Sequence, residues 1–151
     1  MSRCSGQISN EMLATAPRHR RVFSRYDTAA MLRILVCEAD DLMRGLIEEW
    51  LTSVGYCVRA VVPCNPAPEV AADLVIVDIE MPKYAGAQAA DKIRAAHPRT
   101  PIIAISAQFR ADLSTAGTTA QYLGVARVIA KPLTRNALLA AVSGIINPAK
   151  R

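Results

Sequence analysis

The stretch Asp73–Gly86, DLVIVDIEMPKYAG, constrains this chain more than any other. Leu74 to Val77 and Ile79 surround a single carboxylate, Asp78, and Met81-Pro82 follows at once. An aliphatic run this short, bounded by polar and Pro/Gly punctuation, reads as a strand buried on both faces, as strands of parallel sheets are. Asp78 then stands where the strand runs out. In open parallel sheets that end is where ligands bind. Taken alone, an Asp at a strand exit serves equally as a helix cap. The rest of the chain decides between the two.

Four further aliphatic runs punctuate the chain: Arg33–Cys37, Tyr56–Val62, Pro101–Ser106 and Arg127–Ala130. Between them lie helical patterns. Leu42, Met43, Leu46, Ile47, Trp50, Leu51 and Val54 recur at three- and four-residue spacing, which makes one apolar face over 41–54. Asp40 or Asp41 caps that helix and Gly55 ends it. Further helices are expected over 86–97, over 111–123, and over 135–146 with Thr134 as cap. Three prolines between Pro63 and Ala72 leave room for little more than one helical turn, so the second helix is expected to be reduced or lost. Strand and helix alternate five times with short connections, the pattern of one doubly wound, five-stranded parallel sheet of the α/β class.

With 151 residues the chain suits one domain with a proper core. Its net charge of +5 is unevenly spread. Residues 1–30 carry five arginines and two acids, so they read as a basic, solvated, disordered tail, and 31–147 as the folded domain. Met31 is a candidate alternative start. The folded part is near neutral, which argues against direct nucleic-acid binding. Four cysteines (Cys4, Cys37, Cys57, Cys64) show no metal-ligand spacing, and buried free thiols in a reducing cytoplasm are expected. No run of 18 apolar residues points to a membrane.

Every notable polar residue falls at a strand's carboxyl end: Glu38 after the first, Asp78 after the third, Ser106 after the fourth, Lys131 after the fifth. In a parallel sheet these ends share one edge. Acids gathered there repel unless a cation neutralises them, and hard oxygen ligands suit Mg²⁺. Carboxylate, divalent cation, lysine and hydroxyl together fit phosphoryl transfer onto the carboxylate.

At this point the chain resembles the receiver domain of bacterial two-component response regulators. The likeness is carried by ILVCEADDLMR at 34–44, LVIVDIEMP…G at 74–86, PIIAISA at 101–107 and LGVARVIAKPL at 123–133, and covers residues 32–147. The resemblance implies that Asp78 accepts a phosphoryl group from a partner histidine, that Lys131 contacts the phosphate, and that Ser106 shifts toward it. It also implies Glu38, Asp78 and the backbone carbonyl of Glu80 as Mg²⁺ ligands, and a cis bond before Pro132. Met43, Arg44 and Pro132-Leu133 become candidates for contact with a histidine kinase or histidine phosphotransfer protein. With few residues after the last helix, a stand-alone cytoplasmic signalling module is expected rather than an enzyme. It would be a monomer or weak dimer and act on a downstream protein target.

The departures matter as much. Ala39 stands where the family usually places a second metal-binding acid, and a methyl group cannot ligate Mg²⁺. A weakened site is expected, with Asp40 as a candidate substitute ligand. Val128 replaces an aromatic ring common in the family, and Ala85 a common acid. The competing reading is a pseudo-receiver that binds partners without being phosphorylated. A haloacid-dehalogenase-like phosphatase would need Asp-x-Asp where Asp78-Ile79-Glu80 stands. A flavodoxin-like cofactor binder would not place EADD where phosphate must sit.

Overall fold

Five strands and four helices lie along the residues that this computed structural model describes, 31–62, 70–79, 85–109 and 113–147. In chain order they are β1 (Arg33–Cys37), α1 (Asp41–Thr52), β2 (Cys57–Val61), β3 (Leu74–Asp78), α2 (Ala85–Ala96), β4 (Ile102–Ser106), α3 (Leu113–Leu123), β5 (Arg127–Ala130) and α4 (Arg135–Ile146). The strands form one sheet in the order β2-β1-β3-β4-β5, every pair parallel. The sequence-based expectation of a doubly wound five-stranded sheet is met. The expected reduction of a second helix falls mostly on 63–69, outside the described residues, as do the tails 1–30 and 148–151.

Side chains alternate across the sheet with a period of two, and the core divides accordingly. Ile34, Val36, Leu74, Ile76, Ile103 and Ile105 face α1 and α4, where Ile47, Leu51, Leu138, Ala141 and Val142 meet them. Leu35, Cys37, Val75, Val77, Ile102 and Ala104 face the other way, against Ala90, Ile93, Ala120 and Leu123 of α2 and α3. Burial on both faces is why these strands read as unbroken aliphatic runs.

The caps are local and explicit. Asp40 accepts from the Met43 N–H at 2.7 Å to start α1, and Thr134 accepts from Ala137 at 3.2 Å to start α4. Helix α1 stops at Thr52, two residues short of the expected Val54. There the Thr52 hydroxyl donates back to the Glu48 carbonyl at 2.8 Å, and Ser53 to Trp50 at 2.7 Å. Gly55, at φ 96°, then turns the chain where a side chain would be strained. Cys37 is buried as expected, but Cys57 is exposed. It opens β2, an edge strand.

At the opposite end of the sheet, Asp73 ties β3 to β1. Its Oδ2 accepts from the Arg33 backbone N–H at 2.7 Å and from the Arg33 Nε at 3.4 Å. The backbone donor first, then the guanidinium, hold this carboxyl below the usual aspartate range. A depressed carboxyl contributes stability that is present above its unfolded pKa and lost as pH falls through its folded one. The group is about a third exposed, so Asp73→Asn is expected to cost less than about 1 kcal/mol at neutral pH. Denaturant melts of the pair should converge as the acid range is entered.

Candidate functional site

Three strands deliver one residue each to the same place. Continuing the α1/α4-facing series Ile34, Val36 along β1 by two places Glu38. The series Leu74, Ile76 along β3 places Asp78, and Ile129 just before the end of β5 places Lys131. Shared parity and a shared edge bring together residues up to 93 positions apart.

Lys131 Nζ lies 3.2 Å from Asp78 Oδ1 and 3.3 Å from Glu38 Oε2. Glu38 is only 1% exposed, and its other oxygen accepts from the Asp40 backbone N–H at 3.0 Å. The Glu38 backbone N–H in turn donates to the Val61 carbonyl, anchoring the residue on β2. Burial by itself pushes the Lys131 ammonium toward losing its proton. The hydrogen bond and charge of Asp78, reinforced by Glu38, override that and hold its pKa above the ordinary lysine value. The site is thus a fixed cation clamped between two carboxylates.

Ser106 joins the cluster through its backbone, its carbonyl accepting from the Lys131 N–H at 3.0 Å. It is buried and ends β4, one residue past Ile105, the register partner of Asp78. Its parity is that of Ala104, the α2/α3 face, and its Oγ accepts from the Gln108 N–H at 3.1 Å. Val128 is buried on that same face. Asp40 caps α1 through Oδ1, and Ala39 is exposed. Glu80 lies outside the described residues. The Lys131-Pro132 bond is cis. Leu133, a candidate contact residue from sequence, is buried in the α1/α4 core, whereas Pro132 is exposed.

The donor set can be tested against Mg²⁺. That ion keeps several waters and takes one or two carboxylates plus phosphate oxygens. Glu38 and Asp78 supply that number, and among the described residues no third His, Cys, Asp or Glu joins them. The residues fit a sparse, two-carboxylate Mg²⁺ site.

Sequence reasoning missed the full part of Arg44. Its Nη1 donates to the Glu38 carbonyl at 3.0 Å and the Ala39 carbonyl at 3.4 Å, while Nη2 pairs with Asp41. A usable signal existed. A cation in the first turn of a helix opposes the macrodipole and calls for a compensating role.

The family model described as "Response regulator receiver domain" matches residues 34–143. This chain belongs to that family. Among its curated relatives, the Regulator of RpoS of Escherichia coli K12 is 32% identical over 106 residues, 67% of this chain and 30% of that protein. The transcriptional regulatory protein RprY of Bacteroides fragilis is 36% identical over 87 residues, 54% of this chain and 36% of that protein. The receiver spans between 20% and 36% of the length of the curated relatives it matches. Vibrio cholerae chemotaxis protein CheY4 shares its fold, with TM-score 0.62 at 20% identity over 77% of this chain and 99% of that one. The receiver domain of HemR from Leptospira biflexa superposes with TM-score 0.60 at 26% identity, covering 76% of this chain and 94% of that one. As a receiver, the chain is a module of two-component signalling. Among the described residues no helix is long and apolar enough to cross a membrane.

Proposed function

We propose that Asp78 is the phosphoryl acceptor of this receiver, taking the group from a histidine kinase or histidine phosphotransfer protein and passing the signal on through protein contacts. The observation that carries the reading is Lys131 Nζ held within 3.3 Å of both Asp78 and Glu38. An Asp78 oxygen attacks phosphorus, the P–N bond of the donor phosphohistidine breaks, and its electron pair stays on the imidazole nitrogen. The product is an acyl phosphate. Mg²⁺ held by Glu38 and Asp78 would offset charge on the transferring oxygens. Lys131, already charged and in place, pairs with the phosphoryl oxygen without reorganising from water. The Ser106 hydroxyl accepts from the Gln108 N–H and keeps its own O–H to donate, and its turn toward the phosphoryl group is the proposed switch.

Intact mass after incubation with acetyl phosphate tests this. The wild type should gain one phosphoryl adduct that requires Mg²⁺, and Asp78→Asn should gain none. A second reading, the phosphorylation-independent pseudo-receiver, is favoured by Ala39 and by the way Lys131 already offsets part of the carboxylate charge. An adduct-free wild type at high Mg²⁺ would put that reading first.

A further inference from the structure

We propose that Arg44 is the positioning residue of the acidic pocket, clamping the β1–α1 loop so that Glu38 stays aimed at Lys131 and Asp78. The argument starts from what the loop lacks. At position 39 a methyl group replaces any acid that a bound cation could draw in, so nothing on that side chain ties the loop to the pocket. The backbone must be ordered by other means.

Arg44 supplies them. It occupies the first turn of α1, and helical side chains lean toward the N-terminus, so its guanidinium reaches back over residues 38 and 39. One arm donates to the Glu38 and Ala39 carbonyls. The other pairs with Asp41. The side chain is about four-fifths buried, at 20% exposure, more enclosed than an arginine serving solubility alone. Its charge opposes the helix dipole, yet two carbonyls and one carboxylate meet it. The clamp holds the peptide from which the Glu38 side chain departs. Asp40 completes the arrangement, donating its N–H to Glu38 Oε1 and capping Met43. The planar fork is essential, because a point-charge ammonium satisfies only part of this set.

The idea rests on the acidic cluster being the working site, but its test needs no phosphoryl donor. Amide hydrogen exchange of the full chain, in the absence of metal, reads the loop through the Asp40 and Met43 N–H groups. Arg44→Gln should accelerate both by about tenfold while the strands keep their protection, and Arg44→Lys should fall between. In acetyl phosphate assays Arg44→Gln should need several-fold more Mg²⁺ for half-maximal adduct and approach the wild-type plateau. Unchanged exchange at Asp40 and Met43 in Arg44→Gln overturns the proposal. So does a loss of protection across the whole sheet in both variants, which would make Arg44 a general stabiliser. A wild type that takes no phosphoryl group sinks the acceptor reading and leaves the exchange result standing.

Discussion

Replacing Lys131 with methionine is expected to destabilise the folded chain by about 2–4 kcal/mol at neutral pH. Methionine keeps much of the apolar stem, so the loss isolates the ammonium. Without it, Glu38 and Asp78 face one another as uncompensated charges, one of them on a side chain almost sealed from water. The estimate sits below the upper range for broken buried pairs because the Lys131 side chain is 22% exposed, so solvent reaches the cluster. A second substitution separates this cause from lost packing. Glu38→Gln retains an oxygen for the Asp40 N–H and drops the charge. Added to Lys131→Met, it should restore part of the stability, although alone in the wild-type background it should be destabilising. The resulting coupling is expected at about 1–3 kcal/mol in a double-mutant cycle by urea denaturation. Additive effects would mean that the ammonium does not hold the two strands' carboxylates together.

The sheet was legible because its central strands β1, β3 and β4 are buried on both sides, so their aliphatic runs stand out against polar helix surfaces. The cluster was legible for a related reason: Glu38 and Lys131 directly follow their strands, Asp78 ends its own, and parallel strands end on one edge. What sequence reasoning left out was parity. Counting by twos from Ile76 reaches Asp78 and from Val36 reaches Glu38, but counting from Ala104 reaches Ser106 on the other face. The shared edge still joins them, since the Ser106 carbonyl accepts from the Lys131 N–H at 3.0 Å. Leu133, offered by the resemblance as a contact candidate with a packing role equally open, turns into the core beside Leu138. The Arg44 clamp depends on where carbonyls point, which residue type and spacing do not encode. The end of α1 was set by hydroxyls bonding back to the helix, a competition that hydrophobic periodicity cannot register.

Installing aspartate at position 39 should make the stability order of variant and wild type depend on the metal, reversing between EDTA and Mg²⁺. Ala39 is exposed, so the longer side chain meets no packing barrier. In EDTA a third carboxylate joins Glu38 and Asp78 with only Lys131 between the two already present, and Ala39→Asp should melt below the wild type. With Mg²⁺ the added ligand converts a two-carboxylate site into a three-carboxylate one. Affinity should then rise by tenfold or more, about 1.4 kcal/mol per factor of ten. Stabilisation by a ligand grows as the logarithm of its concentration over its dissociation constant, reaching about 2.7 kcal/mol at one hundred times that constant. Thermal melts across a Mg²⁺ series should therefore cross, the variant starting lower and finishing higher. Parallel curves would mean that position 39 does not face the metal, and that the pocket of Glu38 and Asp78 is not where this receiver binds it. Crossing curves, together with an acetyl phosphate adduct on the variant and none on the wild type, would show a receiver silenced by one missing ligand. A Mg²⁺-dependent adduct on both would show that two carboxylates, a lysine and an arginine-clamped loop suffice.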